Sequence, residues 1–152
     1  MRGGVALDIA KTVGILNQIV EIELAGAVRY TQYSLMVFGH GRIPIQAWMR
    51  EQANEGLLHA SAAGEEVTTL GGRVSLGIGE LVGAHHVTVD EILQELLTYE
   101  TSAVDLYRAL LCAVEGESVA LEEYARGMIR AEELHIAEVQ KMLRKHKYSE
   151  VL

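Results

Sequence analysis

The stretch GGRVSLGIGELVGAHHV, residues 71–87, decides the fold that this sequence predicts. It is rich in glycine and separates two long segments with helical periodicity. A connection of this length exceeds an ordinary turn between neighbouring antiparallel helices. Fully extended it could reach about 56 Å, whereas a helix of about 26 residues is about 39 Å long. The segment can therefore run the full length of a helical bundle.

Apolar residues recur at steps of three and four on both sides of this segment, a pattern typical of amphipathic helices. The sequence predicts four of them: α1 (7–38), α2 (45–70), α3 (89–115) and α4 (118–147). The turn FGHGRIP (38–44) ends in the only proline, and the turn GES (116–118) supplies Ser118 as an N-cap. We therefore predict one all-α domain over 1–152, a four-helix bundle of two helical hairpins joined by a long crossover (71–88).

Composition narrows the classes of function. Hydrophobic residues make up 49% of the chain and aromatic residues only 5%, which suits helix packing, and the net charge of −8 argues against a nucleic-acid partner. The single cysteine, Cys112, excludes an internal disulfide framework and fits a reducing compartment. The N-terminal residues resemble neither a signal peptide nor a membrane span. We expect a cytoplasmic protein with no membrane partner.

Polar side chains interrupt the apolar stripes at matching places in the two hairpins. They are Glu23 and Tyr30 on α1, Glu55 and His59 on α2, Glu100 and Tyr107 on α3, and Glu132 and His135 on α4. The interval in sequence from Glu23 to Glu55 equals the interval from Glu100 to Glu132. Tyr30 and Tyr107 are separated by the same interval as Glu23 and Glu100. The hairpins therefore look like two copies of one unit related by a pseudo-twofold axis.

These polar positions indicate a metal site. A buried carboxylate without a partner is very costly, and four near one another require protons or cations. Two divalent ions would balance four glutamates, and neutral imidazoles would complete the coordination. One glutamate from each of two helices and a Glu/His pair from each of the other two is the di-iron carboxylate pattern. Such oxygen-rich ligands favour iron or manganese. The alternative is a solvated face, because a single E-x-x-H arises readily by chance.

The segments that carry these residues resemble bacterioferritins, within the ferritin-like di-iron superfamily. They are IVEIELAGAVRYTQYSL (19–35), EGLLHASAAGEEVTTLGG (55–72), LTYETSAVDLYRALL (97–111) and RAEELHIAEVQ (130–140). The resemblance implies a ferritin-like bundle that holds two iron ions. It implies terminal carboxylates at Glu23 and Glu100, bridging carboxylates at Glu55 and Glu132, one histidine ligand per iron at His59 and His135, and a supporting tyrosine at Tyr30.

The chain departs from bacterioferritins at three places. Gly56 stands three residues before His59, where the family has its glutamate, so Glu55 comes four before. We expect either a π-bulge that turns Glu55 inward or a weaker half-site on α2. Leu57 replaces the methionine that holds the family's haem, so we expect no haem held in that way. The tail after His135 (136–152) is too short for the family's fifth helix, which favours a dimer or a 12-subunit shell over a 24-subunit one.

The resemblance implies a ferroxidase. Such an enzyme would bind two Fe(II), oxidise them with O₂ or H₂O₂, and take part in iron storage or detoxification. Two alternatives stay open from the residues alone. One is a soluble di-iron oxidase or peroxidase that stores no iron, and the other is a metal-binding assembly protein with an impaired site.

Overall fold

The computed structural model describes residues 6–81 and 88–144, and its regular structure there is entirely helical. The four helices are α1 (Ile9–Met36), α2 (Arg42–Thr69), α3 (Val89–Val114) and α4 (Val119–Leu143). The predicted all-α bundle of two hairpins is confirmed. Residues 82–87 of the predicted crossover, residues 145–147 of the predicted α4 and the C-terminal tail lie outside the described residues.

Side chains at the helix starts satisfy backbone N–H groups that have no partner within the helix. Thr88 and Glu91 form a reciprocal capping box at the start of α3, and Ser118 caps α4 as predicted. The second helix begins at Arg42, three residues earlier than the sequence predicts. Pro44 therefore lies in its first turn, where the missing N–H is not needed.

The described part of the crossover is attached along α1. The Asn17 side chain donates to the carbonyl of Arg73 at 2.9 Å and accepts from the N–H of Ser75 at 2.8 Å. Further along, the N–H of Gly79 donates to the carbonyl of Glu21 at 2.8 Å. A Cβ at Gly79 would lie 2.9 Å from that carbonyl oxygen, so this close approach requires glycine.

The helices pack around two apolar clusters with a polar layer between them. Helix α1 packs against α2 and α3, and α3 packs against α4. Among the described residues, α2 and α4 make no comparable close backbone approach. One cluster includes Leu16, Ile19, Val67, Leu110 and Leu121, and the other includes Tyr33, Met49, Ile92, Leu96 and Val139. The polar layer therefore occupies the middle of the bundle, where α2 and α4 stand apart.

None of the helices in the described ranges has both the length and the apolar character needed to cross a bilayer.

Candidate metal centre

Two glutamates on the closely packed pair α1 and α3 are each held by a tyrosine of the opposite helix. The Tyr107 hydroxyl donates to Glu23 Oε1 at 2.9 Å, and the Tyr30 hydroxyl donates to Glu100 Oε1 at 2.5 Å. All four side chains are buried. The predicted pseudo-twofold relation between the hairpins thus reappears as two equivalent tyrosine–carboxylate contacts.

Glu132 is the most deeply buried carboxylate of the centre, with only 1% of its surface exposed. Its Oε1 lies 2.8 Å from Nδ1 of His59, which is also 3.6 Å from Oε1 of Glu23. Its Oε2 lies 3.6 Å from Nδ1 of His135, on the same face of α4. The two imidazole rings are nearly parallel, with centroids 6.2 Å apart. Glu132 therefore lies between the two histidines.

Glu55 lies at the rim of the centre. Its side chain is 38% exposed, against 2% for Glu132, and its Oε2 is 2.8 Å from Nε2 of His135. Each histidine is thus close to a glutamate of the other hairpin, but the two glutamates differ in depth. Helix α2 is α-helical from Arg42 to Thr69, so the expected π-bulge that would turn Glu55 inward is absent from it. Whether Glu55 bridges two metals stays a prediction.

Five of the six predicted ligands form two compact groups. In each group, one possible ligand atom per residue lies within 4.8 Å of the others. One group is Glu23, His59 and Glu132, and the other is Glu100, Glu132 and His135. Because Glu132 belongs to both, its two oxygens could each face a different cation. This arrangement is the one expected of a bridging carboxylate.

Burial perturbs the two tyrosine-held carboxylates in the same direction. Desolvation raises the pKa of Glu100 well above its usual value, and the neighbouring Glu132 raises it further. Desolvation also raises the pKa of Glu23, although His59 acts in the opposite direction. In the absence of a cation, these carboxyl groups therefore hold protons more readily than exposed ones do.

Contacts between Glu132 and the two histidines favour the charged form of each of these residues. Burial lowers the pKa of His59, but contacts with Glu132 and Glu23 raise it more, to about 10. The pKa of His135 is raised, mainly by Glu132. Burial raises the pKa of Glu132, but the two histidines lower it more, so that the net shift is well below its usual range. Without metal, the two histidines thus hold their protons more readily than exposed histidines do, and Glu132 holds its negative charge more firmly than an exposed carboxylate does.

The donor set fits divalent metal ions. Glu132 Oε1 is buried and, among the described residues, has no hydrogen-bond donor in suitable geometry, although His59 Nδ1 lies 2.8 Å away. An anionic oxygen in this position would be satisfied by a cation. Carboxylate oxygens with one imidazole per group suit iron or manganese.

A family model for the ferritin-like domain matches residues 13–148, which is most of the chain. The chain belongs to the ferritin-like family. The predicted membership of the ferritin-like superfamily is therefore confirmed. No curated protein sequence matches the chain.

Solved structures show the same ferritin-like fold. A ferritin-like, diiron-carboxylate protein from Bacillus anthracis strain Ames is 20% identical, with a TM-score of 0.85 over 92% of this chain and 100% of that one. A bacterioferritin-related protein from Bacteroides fragilis, described as a dodecameric thioferritin, is 21% identical, with a TM-score of 0.83 over 90% of this chain and 86% of that one. At these identities the similarity establishes the fold.

Several residues that were not predicted also line the cavity of this ferritin-like centre, among them Gln52, Gly26 and Tyr99. Gln52 is buried on α2, Gly26 lies on α1, and Tyr99 lies on α3 beside Glu100. Gln52 interrupts an apolar stripe, and that interruption was the available signal for it. Gly26 and Tyr99 gave no such signal, because glycine has no side chain and a tyrosine is ordinary in a half-buried position.

Leu57, which stands at the position of the haem-binding methionine, is about half exposed on α2. The absence of haem held there stays a prediction.

Proposed function

We propose that the protein is a ferroxidase, which binds two Fe(II) ions as substrate and oxidises them with O₂ or H₂O₂. The observation that carries this proposal is the pair of three-residue ligand groups that share the buried Glu132. Each Fe(II) gives up one electron, so the two ions of one site supply two electrons. With two protons, these electrons reduce O₂ to H₂O₂, which is released, or reduce H₂O₂ to two waters.

The side chains have distinct roles in this proposal. Glu23 and Glu100 are terminal carboxylates, each oriented by the hydroxyl of a tyrosine, Tyr107 and Tyr30 respectively. Glu132 faces both positions. His59 and His135 must release their protons to become ligands, because only a neutral imidazole nitrogen has a lone pair to offer. Glu55, beside His135, is proposed as the sixth ligand.

The test uses two neighbouring glutamates of α4. Glu132→Gln removes a charge and keeps the shape, and we expect rapid Fe(II) oxidation to fall by more than the roughly 10–100-fold typical of lost supporting groups. Glu133→Gln is the matched control, because this side chain is 46% exposed and pairs with Arg108 outside the centre. Stopped-flow oxidation of Fe(II) in air measures both. Unchanged Fe(II) oxidation kinetics in Glu132→Gln would contradict the ferroxidase proposal.

The position of Glu55 favours a second candidate, a protein that binds metal without fast oxidation. Glu55 contacts His135 at the rim and belongs to neither ligand group. Glu132 is then the one carboxylate that the two groups share. Aerobic Fe(II) titration separates the candidates. A ferroxidase forms Fe(III) faster than buffer alone does. The second candidate binds Fe(II), but the bound iron is oxidised no faster than iron in buffer.

We also propose that the chain forms a homo-oligomer. Large apolar side chains are exposed on the single chain, including Phe38, Ile43, Leu58 and Leu76. The related protein from Bacteroides fragilis is described as dodecameric. A 12-subunit shell could store iron, whereas a dimer would fit a di-iron oxidase or peroxidase that stores none. Light scattering coupled to size exclusion, before and after iron loading, distinguishes the two.

A further inference from the structure

A surface groove of about 500 Å³ lies between α1, α3 and the crossover. Its wall includes Gln18 and Glu21 from α1, Glu80 from the crossover, and Glu95, Thr98 and Tyr99 from α3. The groove is thus on the opposite side of the bundle from the gap between α2 and α4.

Two residues border both this groove and the metal cavity. Ile22 and Tyr99 line the groove and also line the cavity that contains the predicted ligands. The Tyr99 hydroxyl donates to the backbone carbonyl of Glu80 at 2.8 Å, which attaches the ring to the crossover. The half-buried Tyr99 ring is therefore adjacent to both spaces and tied to the crossover.

The groove is acidic. Glu21, Glu80 and Glu95 contribute carboxylates, and no lysine or arginine is among its lining residues in the described chain. Glu95 forms an ion pair with Arg29 at 2.9 Å, and Glu21 accepts a hydrogen bond from Ser75 at 2.6 Å. A concave surface lined by one sign of charge raises the local concentration of opposite ions. This groove therefore attracts cations.

Gly26 offers a way to obstruct the passage at a position that is not itself a predicted ligand. It lies on α1 one turn after Ile22 and lines the metal cavity. A Cβ built there meets no atom within 4 Å, so a side chain at this position has room to extend. Gly14, on the same helix, also has open space around its Cβ position but lines neither cavity.

We propose that this groove is the route by which divalent cations reach the metal centre, with the Tyr99 ring as its gate. This inference rests on the proposed metal-binding function. The competing opening lies between α2 and α4, beside Glu55 and His135. Among the residues that line the metal cavity, the one partly exposed carboxylate is that of Glu55, which is already paired with an imidazole. The groove presents three carboxylates, of which only that of Glu95 is paired with an arginine among the described contacts.

The experiment measures the rate and the stoichiometry of Co(II) uptake by the full chain, using the visible absorption of the bound ion. We expect Gly26→Leu to slow uptake by about tenfold through loss of the charge-focused path, and Tyr99→Ala to accelerate it. The wild-type stoichiometry should persist in both. Gly14→Leu should take up Co(II) at the wild-type rate. Raising the salt concentration should slow the wild type more than Gly26→Leu.

Uptake at the wild-type rate in both Gly26→Leu and Tyr99→Ala, with unchanged stoichiometry, would overturn the route and leave the metal-binding function standing. A wild-type protein that binds no Co(II) would overturn both. If circular dichroism shows that Gly26→Leu is unfolded, Tyr99→Ala carries the comparison with Gly14→Leu, because removal of the Tyr99 ring should still accelerate uptake.

Discussion

At the scale of single residues, the two tyrosine hydroxyls determine how the buried carboxylates are satisfied. Tyr30→Phe or Tyr107→Phe leaves Glu100 or Glu23 without that donor, so each should lower the free energy of unfolding of the metal-free protein by about 1–3 kcal/mol. Urea denaturation measures the loss. Tyr124→Phe is the control, because its buried hydroxyl has no hydrogen-bond partner in suitable geometry among the described residues. An equal loss in all three variants would contradict this account.

Sequence spacing was enough to predict which charged side chains meet. Glu23, Glu100 and Glu132 interrupt apolar stripes, and such an interruption at helical spacing leaves a readable pattern. How deeply each side chain is buried could not be predicted from the spacing. Glu55 and Glu132 occupy corresponding places in the two hairpins, yet one is at the rim and the other is buried. That difference depends on where each helix packs, which spacing along one helix does not specify.

At the scale of the helices, Gly56 explains why α2 departs from the spacing found on α4. A Cβ at Gly56 would lie 3.2 Å from the carbonyl oxygen of Glu23 and 3.3 Å from the Cβ of Ala27. These contacts are tight, so α1 and α2 approach closely at the position where the family carries its glutamate. A side chain at position 56 would require α1 or α2 to shift by a few tenths of an ångström. Glu55, one position earlier, is free of this restriction, and its role as a ligand stays a prediction.

A pair of glycine substitutions on α2 tests this close approach. Gly56→Ala should destabilise the protein by about 1–3 kcal/mol from overpacking, less the gain of roughly 1 kcal/mol in helix propensity. Gly64→Ala is the control, because its Cβ would meet Val74 at an ordinary 3.6 Å. It should be neutral or stabilising. Thermal unfolding by circular dichroism measures both, and equal shifts in melting temperature would refute the packing explanation.

The groove beside the metal centre could not be predicted from the sequence, for a related reason. The crossover's length predicted that it would span the bundle, but its position along α1 depends on backbone contacts such as Gly79 to Glu21. Backbone hydrogen bonds leave little trace in the residue pattern. That Tyr99 borders both the groove and the metal cavity therefore depends on where the crossover lies, which the sequence does not specify.

At the scale of the whole molecule, the metal centre links the stability of all four helices to pH. In the metal-free protein the pKa of His59 is about 10, and the pKa values of His135, Glu23 and Glu100 are raised. At neutral pH His59 therefore carries a proton that a metal ion must displace, and the other three groups hold protons more readily than they would in water. Because ligation requires the deprotonated forms, lowering the pH strengthens the competition from protons and weakens metal binding.

We expect Co(II) binding at neutral pH to release at least about one proton, and the rise in melting temperature caused by Co(II) to shrink as the pH falls from about 8 to about 6. Calorimetry in buffers with different heats of ionisation counts the protons. In Glu132→Gln the carboxylate between the two imidazoles is lost, so the pKa of His59 should fall and fewer protons should be released on any residual binding. Metal affinity that stays constant across this pH range would show that the ligands are not these titrating groups, because a metal held by His59 and His135 must compete with their protons.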